Sequence, residues 1–223
     1  MAAGDGSFNG LIYTPWALGQ SRALGDYNLK NNFSGEFVYA LPFGHGQHFG
    51  GGVSKGLNYL IGGWEVTGIV RWRSGFPQSP SEGFNFPTDF FLTGPGQLTA
   101  NVTSHVTTNV GVAGGIPNLF SNPAAILADI APVLPGFTGS RNTIEGPAFA
   151  NVDADIHKSF VMPWSDKQRL QLRVSAYNVF NWANFAGDSL DPTVPALFGQ
   201  FTSTIGNTLQ GARQMEFAAR YEF

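Results

Sequence analysis

Arg213-Gln214-Met215-Glu216-Phe217-Ala218-Ala219-Arg220-Tyr221-Glu222-Phe223 closes the sequence and decides how the rest is read. From Met215 onward the odd positions are Met, Phe, Ala, Tyr and Phe; from Gln214 the even positions are Gln, Glu, Ala, Arg and Glu. A period of two places these sets on opposite faces of a strand, one apolar and one polar. Free termini fray, so a soluble sheet has little use for bulky rings on its last residues. A strand paired on both edges, with one face in hydrocarbon and the other toward an aqueous lumen, does have a use for them. The expected fold class is all-β: an antiparallel transmembrane β-barrel segment.

Composition agrees. Charged residues are 12% of 223, about half the usual share of a soluble domain, while aromatics reach 14% with 20 Phe. Mean hydropathy is nonetheless near zero, and no run of about 18 apolar residues offers a membrane helix. A net charge of −3 gives no cationic footprint, so no nucleic-acid partner is expected. With no cysteine there are no disulfides or thiolate metal sites. The start, Met1-Ala2-Ala3-Gly4-Asp5-Gly6-Ser7-Phe8, lacks the basic and apolar regions of a secretory signal, which for a barrel implies a fragment or a mis-started frame.

Five strands are expected, at about 31–41, 64–73, 148–160, 168–182 and 212–223. In the first, Phe33, Gly35, Phe37 and Tyr39 oppose Asn32, Ser34 and Glu36; in the second, Trp64, Val66, Gly68, Val70 and Trp72 oppose Glu65, Thr67, Arg71 and Arg73. Ile69 falls on the polar side. In the third, Ala150, Val152, Ala154, Ile156 and Phe160 oppose Asn151, Asp153, Asp155 and His157; in the fourth, Leu170, Leu172, Val174, Ala176 and Phe180 oppose Gln171, Arg173, Ser175 and Tyr177. Asn122-Pro123 before Ala124–Ile130 reads as a capped helix start.

The connections alternate in length. A short turn at 161–167 contrasts with long connections at 74–146 and 183–211, as short periplasmic turns contrast with long extracellular loops. The connector at 42–63 is too long for such a turn. Aromatic rings favour the headgroup level, which suggests two girdles: Trp64, Phe160 and Trp164 with Tyr221 and Phe223 on the periplasmic side, and Trp72, Phe180 and Trp182 on the outer side. Five strands cannot close even the smallest eight-stranded membrane barrel, so an open curved sheet is expected.

The polar residues carry no catalytic pattern. Asp153, Asp155 and His157 form a row that could in principle ligate a metal, but no further ligands converge, and a solvated lumen wall fits better. Glu216 and Arg220 continue that wall. Folding about the turn brings Asp155 toward Arg173, where opposite charges contribute a few tenths to ~1 kcal/mol. His45, His48 and His105 lie in loop sequence. Gly50-Gly51-Gly52 lacks the setting of a phosphate loop, and no Gly-x-Ser-x-Gly is present. No catalytic residue, metal site or cofactor is expected, and the chain reads as a non-enzyme.

Several segments resemble TonB-dependent outer-membrane receptors, in particular Oar-like proteins with a carboxypeptidase-regulatory-like amino-terminal domain. These are Tyr39-Ala40-Leu41-Pro42-Phe43-Gly44, Gly62-Gly63-Trp64-Glu65-Val66-Thr67-Gly68 with Ser74-Gly75-Phe76-Pro77, Arg141–Pro147 with Asn151-Val152-Asp153 and His157–Phe160, Leu170–Asn181, and Ala212–Phe223. Their order and spacing, over about residues 27–223, carry the resemblance. It implies part of a plugged barrel of about 22 strands that binds and takes up an extracellular ligand. The plug, the TonB box and the amino-terminal domain are not in this sequence, so the TonB complex would be met only through a missing amino-terminal region. The resemblance also implies that Tyr221 and Phe223 form a signal read by the barrel-assembly machinery, and that the lipid bilayer of the outer membrane is a partner. The rival expectations are a soluble all-β carbohydrate-binding or surface structural module, with these rings in a closed core, and an outer-membrane enzyme on a small barrel.

Overall fold

The computed structural model describes residues 17–80, 101–102, 108–131, 139–205 and 212–223. The chain divides into two units. One comprises Phe33–Trp72, Ala150–Ala183 and Thr208–Phe223; the other comprises Met1–Asn32, Arg73–Phe149 and Asn184–Asn207.

The period-two segments form one five-stranded sheet: β1 (Asn32–Ala40), β2 (Glu65–Arg73), β3 (Phe149–Met162), β4 (Ser165–Tyr177) and β5 (Gln214–Glu222). Their spatial order is their chain order, and the sheet is open, with β1 and β5 at its edges. β1 and β2 run antiparallel. Leu41 N–H donates to Trp64 O at one end, and Ser74 N–H donates to Asn31 O at the other. Strands β3 and β4 form an antiparallel hairpin in which Leu170 meets Phe160 and Val174 meets Ile156. On its other edge β4 pairs β5, setting Leu170 against Tyr221, Leu172 against Ala219 and Val174 against Phe217.

Three local expectations need correction. The turn at 161–167 shrinks to Pro163-Trp164, and the surplus residues are taken up where the pairing shifts between Ser165 and Arg169. The fourth strand stops at Tyr177 rather than reaching Trp182. Asn178 and Asn181 both sit at φ 54°, a left-handed conformation that ends a strand and that Asn tolerates better than most residues. Phe180 and Trp182 therefore lie beyond the strand. The long connector after β1 is filled by helix α1 (Lys55–Ile61), capped by Ser54, whose hydroxyl accepts from Leu57 N–H at 3.4 Å. Helix α2 (Pro123–Ala128) starts as its sequence predicts, the Asn122 side chain accepting from Ala125 N–H.

The connections carry the buried core. Among the described residues it consists of Leu119, Phe120, Ile144, Leu190, Phe198 and Phe201, all of them outside the sheet unit. Phe120 stacks on Phe198 with ring centroids 5.4 Å apart, and Phe185 stacks on Phe201 at 4.8 Å. Asn118, buried beside them, donates from Nδ2 to Phe198 O and accepts Phe120 N–H at Oδ1, both at 2.9 Å. Gly199, at φ 73°, leaves the room: a Cβ there would strike Asn118 Oδ1 and the Phe120 ring. Short ladders brace this unit, pairing Phe185–Asp188 with Phe201–Thr204 and Gly111–Ala113 with Ile116–Asn118. The long connection at 74–146 thus carries regular structure of its own in the Gly111–Asn118 ladder and in α2.

Candidate functional site

Paired residues in a ladder share a face, so the registers fix which side chains lie together. On one face lie Ala154, Ile156 and Phe160 of β3, then Leu170, Leu172, Val174 and Ala176 of β4, then Met215, Phe217, Ala219 and Tyr221 of β5. Phe37 of β1 joins them over Gly68 of β2, where an added Cβ would run into its ring. These side chains are outside, not inside: Met215 is 56% exposed, Phe217 75% and Tyr221 45%. A soluble sheet with this pattern would bury them, and the closed core required by a soluble binding module is not formed on this face.

The opposite face is charged and internally paired. Arg71 Nη1 lies 3.9 Å from Asp153 Oδ2, His157 Nε2 lies 3.4 Å from Glu65 Oε1, and Arg220 Nε lies 3.2 Å from Glu222 Oε1. Tyr177 donates to Glu216 at 3.3 Å. Asp155 and Arg173 share this face, as expected, but not one rung. Arg173 faces His157, and Asp155 faces Ser175. They stand one residue pair apart along the ladder, an offset set by the shift in pairing between Ser165 and Arg169.

Asp153 is more than a wall residue. Its Oδ1 accepts Asn178 N–H at 2.9 Å and Asn151 Nδ2–H at 2.8 Å. Asn178 in turn brackets Trp182, donating to its carbonyl and accepting its N–H, and Asn181 Oδ1 accepts Arg213 N–H at 2.9 Å. Tyr177-Asn178-Val179-Phe180-Asn181 thus ties the ends of β3, β4 and β5 together. Asp153→Ala is expected to cost ~1–3 kcal/mol by stranding these donors, whereas Asp153→Asn keeps an acceptor. The check is the temperature at which the folded band is lost on a semi-native gel; it should fall clearly for the Ala variant and little for Asn.

The aromatic sets lie at the two ends of the sheet. Phe160 and Tyr221 flank Leu170 on one row, Trp64 meets Phe160 edge-on, and Trp164 and Tyr221 both donate to Gln168 Oε1. Tyr221 also stacks with Phe223. At the other end are Trp72 and the stacked Phe180 and Trp182. Trp64 and Trp72 are separated by about 26 Å of strand at ~3.3 Å per residue. With a tilt of about 40° that is about 20 Å along a membrane normal, just inside an apolar band of about 25 Å.

One residue breaks the apolar face, and sequence periodicity passed over it. Lys158, opposite Leu172, is 4% exposed. Its Nζ donates to Tyr59 O at 2.5 Å and Leu60 O at 3.1 Å, and lies 4.6 Å from the Phe160 ring centre and 5.8 Å from that of Trp64. Those carbonyls are among the unpaired ones at the end of α1. A polar residue on the even, apolar side of β3 was the available signal. His45 and His48 are exposed, as expected, and His105 lies outside the described residues. Among the described residues no group of three His, Cys, Asp or Glu is placed to hold a metal.

An open sheet with its apolar side chains turned outward and its charges paired on the reverse describes a barrel wall. Residues 2–216 match the family model described as an outer membrane beta barrel domain. The chain belongs to that family. Comparison with curated proteins and with solved structures returns no match. This outer-membrane β-barrel protein has the lipid bilayer as its partner, and its apolar sheet face is the one suited to hydrocarbon.

Proposed function

We propose that the chain supplies the carboxyl-terminal wall of a TonB-dependent outer-membrane transporter or receptor, acting by binding and passage rather than covalent chemistry. The observation that carries this reading is the buried core of the connections. Segments that stack Phe120 on Phe198 and hold Asn118 between them offer a shaped surface instead of slack chain, and binding residues concentrate on loops that a scaffold holds. In this reading the connections at 74–146 and 183–211 face the exterior and contact the ligand. The row of Asp153, Asp155, Arg173, Glu216 and Arg220 lines an aqueous lumen. Trp64, Phe160 and Trp164 form one girdle; Trp72, Phe180 and Trp182 form the other. The resemblance of the strand and turn segments to Oar-like receptors supports energised uptake.

The test is cross-linking of the full-length protein to the periplasmic domain of TonB in intact cells. A specific adduct through the amino-terminal region supports the reading. Its absence, together with a stable ungated conductance in planar bilayers, would point to a passive pore.

The carboxyl terminus gives a further expectation. Tyr221 and Phe223 stack at the edge strand, where the assembly machinery would read them. Deleting Phe223 should lower the amount of folded protein in the outer membrane several-fold, with the remainder degraded or periplasmic. An unchanged outer-membrane yield would remove the signal role.

A further inference from the structure

We propose that α1 is a membrane-interface helix, docked on the lipid-facing side of the sheet by Lys158 and presenting Leu57 and Leu60 to the bilayer. The inference rests on membership of the outer-membrane barrel family and not on transport, so it stands or falls separately from the uptake reading. Lys158 belongs to the apolar face by register, yet its charge is spent on the Tyr59 and Leu60 carbonyls at the end of α1. Trp64 donates to the same Leu60 carbonyl, and the Tyr59 hydroxyl donates to Val161 O at 2.9 Å. The helix is therefore held on the outward face of β3, close to the Pro163-Trp164 turn.

Its own sides differ. Asn58 turns back into the connector, accepting His45 N–H, while Leu57 and Leu60, three residues apart on one stripe, are 46% and 60% exposed. Strands added to either edge of the sheet would extend it in its plane. They would not cover a helix lying on its face. What covers that face covers Leu57 and Leu60, and in this family that is lipid. A short helix with leucines on one side and Lys55 and Asn58 on the others is suited to the boundary between headgroups and acyl chains. In this arrangement Lys158 is a positioning residue.

Residues 1–223 hold no cysteine, so once any cysteine elsewhere in the full-length protein is replaced by serine, nitroxide labels at Leu57→Cys and Leu60→Cys report alone, within native outer-membrane vesicles. Phe217→Cys serves as the lipid reference and Lys55→Cys as the aqueous one. Labels at 57 and 60 should collide with oxygen several-fold more often than with a water-soluble nickel chelate, as at 217. Chelate collision matching position 55 would overturn the proposal, since the helix would lie in water. Low collision with both relaxers would overturn it equally, since protein, such as a second copy of the chain, would cover the leucines. Adding Lys158→Met should narrow the spectrum of the Leu60→Cys label and raise its chelate collision several-fold. An unchanged spectrum would remove Lys158 from the docking role, and if that variant does not insert, the measurements with Lys158 intact still decide whether α1 meets lipid.

Discussion

Phe217→Arg should lose ~2–4 kcal/mol of folding free energy in a bilayer, the cost of an arginine on the lipid face near the midplane. The position lies well away from the aromatic row at one end: Phe217 pairs with Val174, which pairs with Ile156, four residues along each strand from Tyr221, Leu170 and Phe160. The neighbouring residue gives the contrast. Ala218 lies on the other face, opposite Arg173, and Ala218→Glu places a carboxylate across the strand from a guanidinium. That pair should contribute a few tenths to ~1 kcal/mol. Two adjacent substitutions, each adding a charge, should thus move stability in opposite directions. Folded outer-membrane yield and the guanidinium midpoint in phospholipid vesicles measure both. Equal tolerance of Phe217→Arg and Ala218→Glu would show that the apolar face does not meet hydrocarbon.

Phe120→Ala should cost ~3–5 kcal/mol within the connections while leaving membrane insertion unchanged. Truncating a buried phenyl ring removes its transfer free energy and leaves a cavity, and Phe120 is fully buried in contact with Phe198 and Gly199. The sheet registers do not involve it. External protease added to whole cells should therefore cut the variant rapidly between about 108 and 131, while its yield in the outer membrane stays near that of the parent. A drop in insertion equal to the loss of protease resistance would show that sheet and connections fold as one unit.

Much of the sheet could be read from alternation, because a strand between lipid and water must repeat every two residues. β5 lies within one or two residues of its expected bounds, and the faces of β3 hold throughout Asp153, Asp155 and His157. Periodicity failed where a single side chain overrules it. Phe180 falls in phase with the even-numbered apolar set of the fourth strand, but the left-handed Asn178 and Asn181 break the backbone first. Lys158 could be read as out of phase, yet its partners, two carbonyls about a hundred residues earlier in the chain, leave no local mark. The loop core was invisible for a related reason. Leu119-Phe120 and the distant Phe198 and Phe201 show no period in the sequence, and only tertiary contact brings them together. The candidate contact surface was legible as long connections, but not as folded ones.

The extent of those connections bears on how such a chain can change. Joining β2 to β3 closes about 75 residues and joining β4 to β5 closes about half as many, and each doubling of closure length adds only ~0.6 kcal/mol of entropy cost. Insertions and deletions between Arg73 and Phe149 are thus nearly free as far as strand pairing is concerned, provided the aromatic stack survives. The Pro163-Trp164 link is far tighter: unless the irregular pairing between Ser165 and Arg169 took it up, a single added residue there would slip β4 along β3 and turn every side chain over.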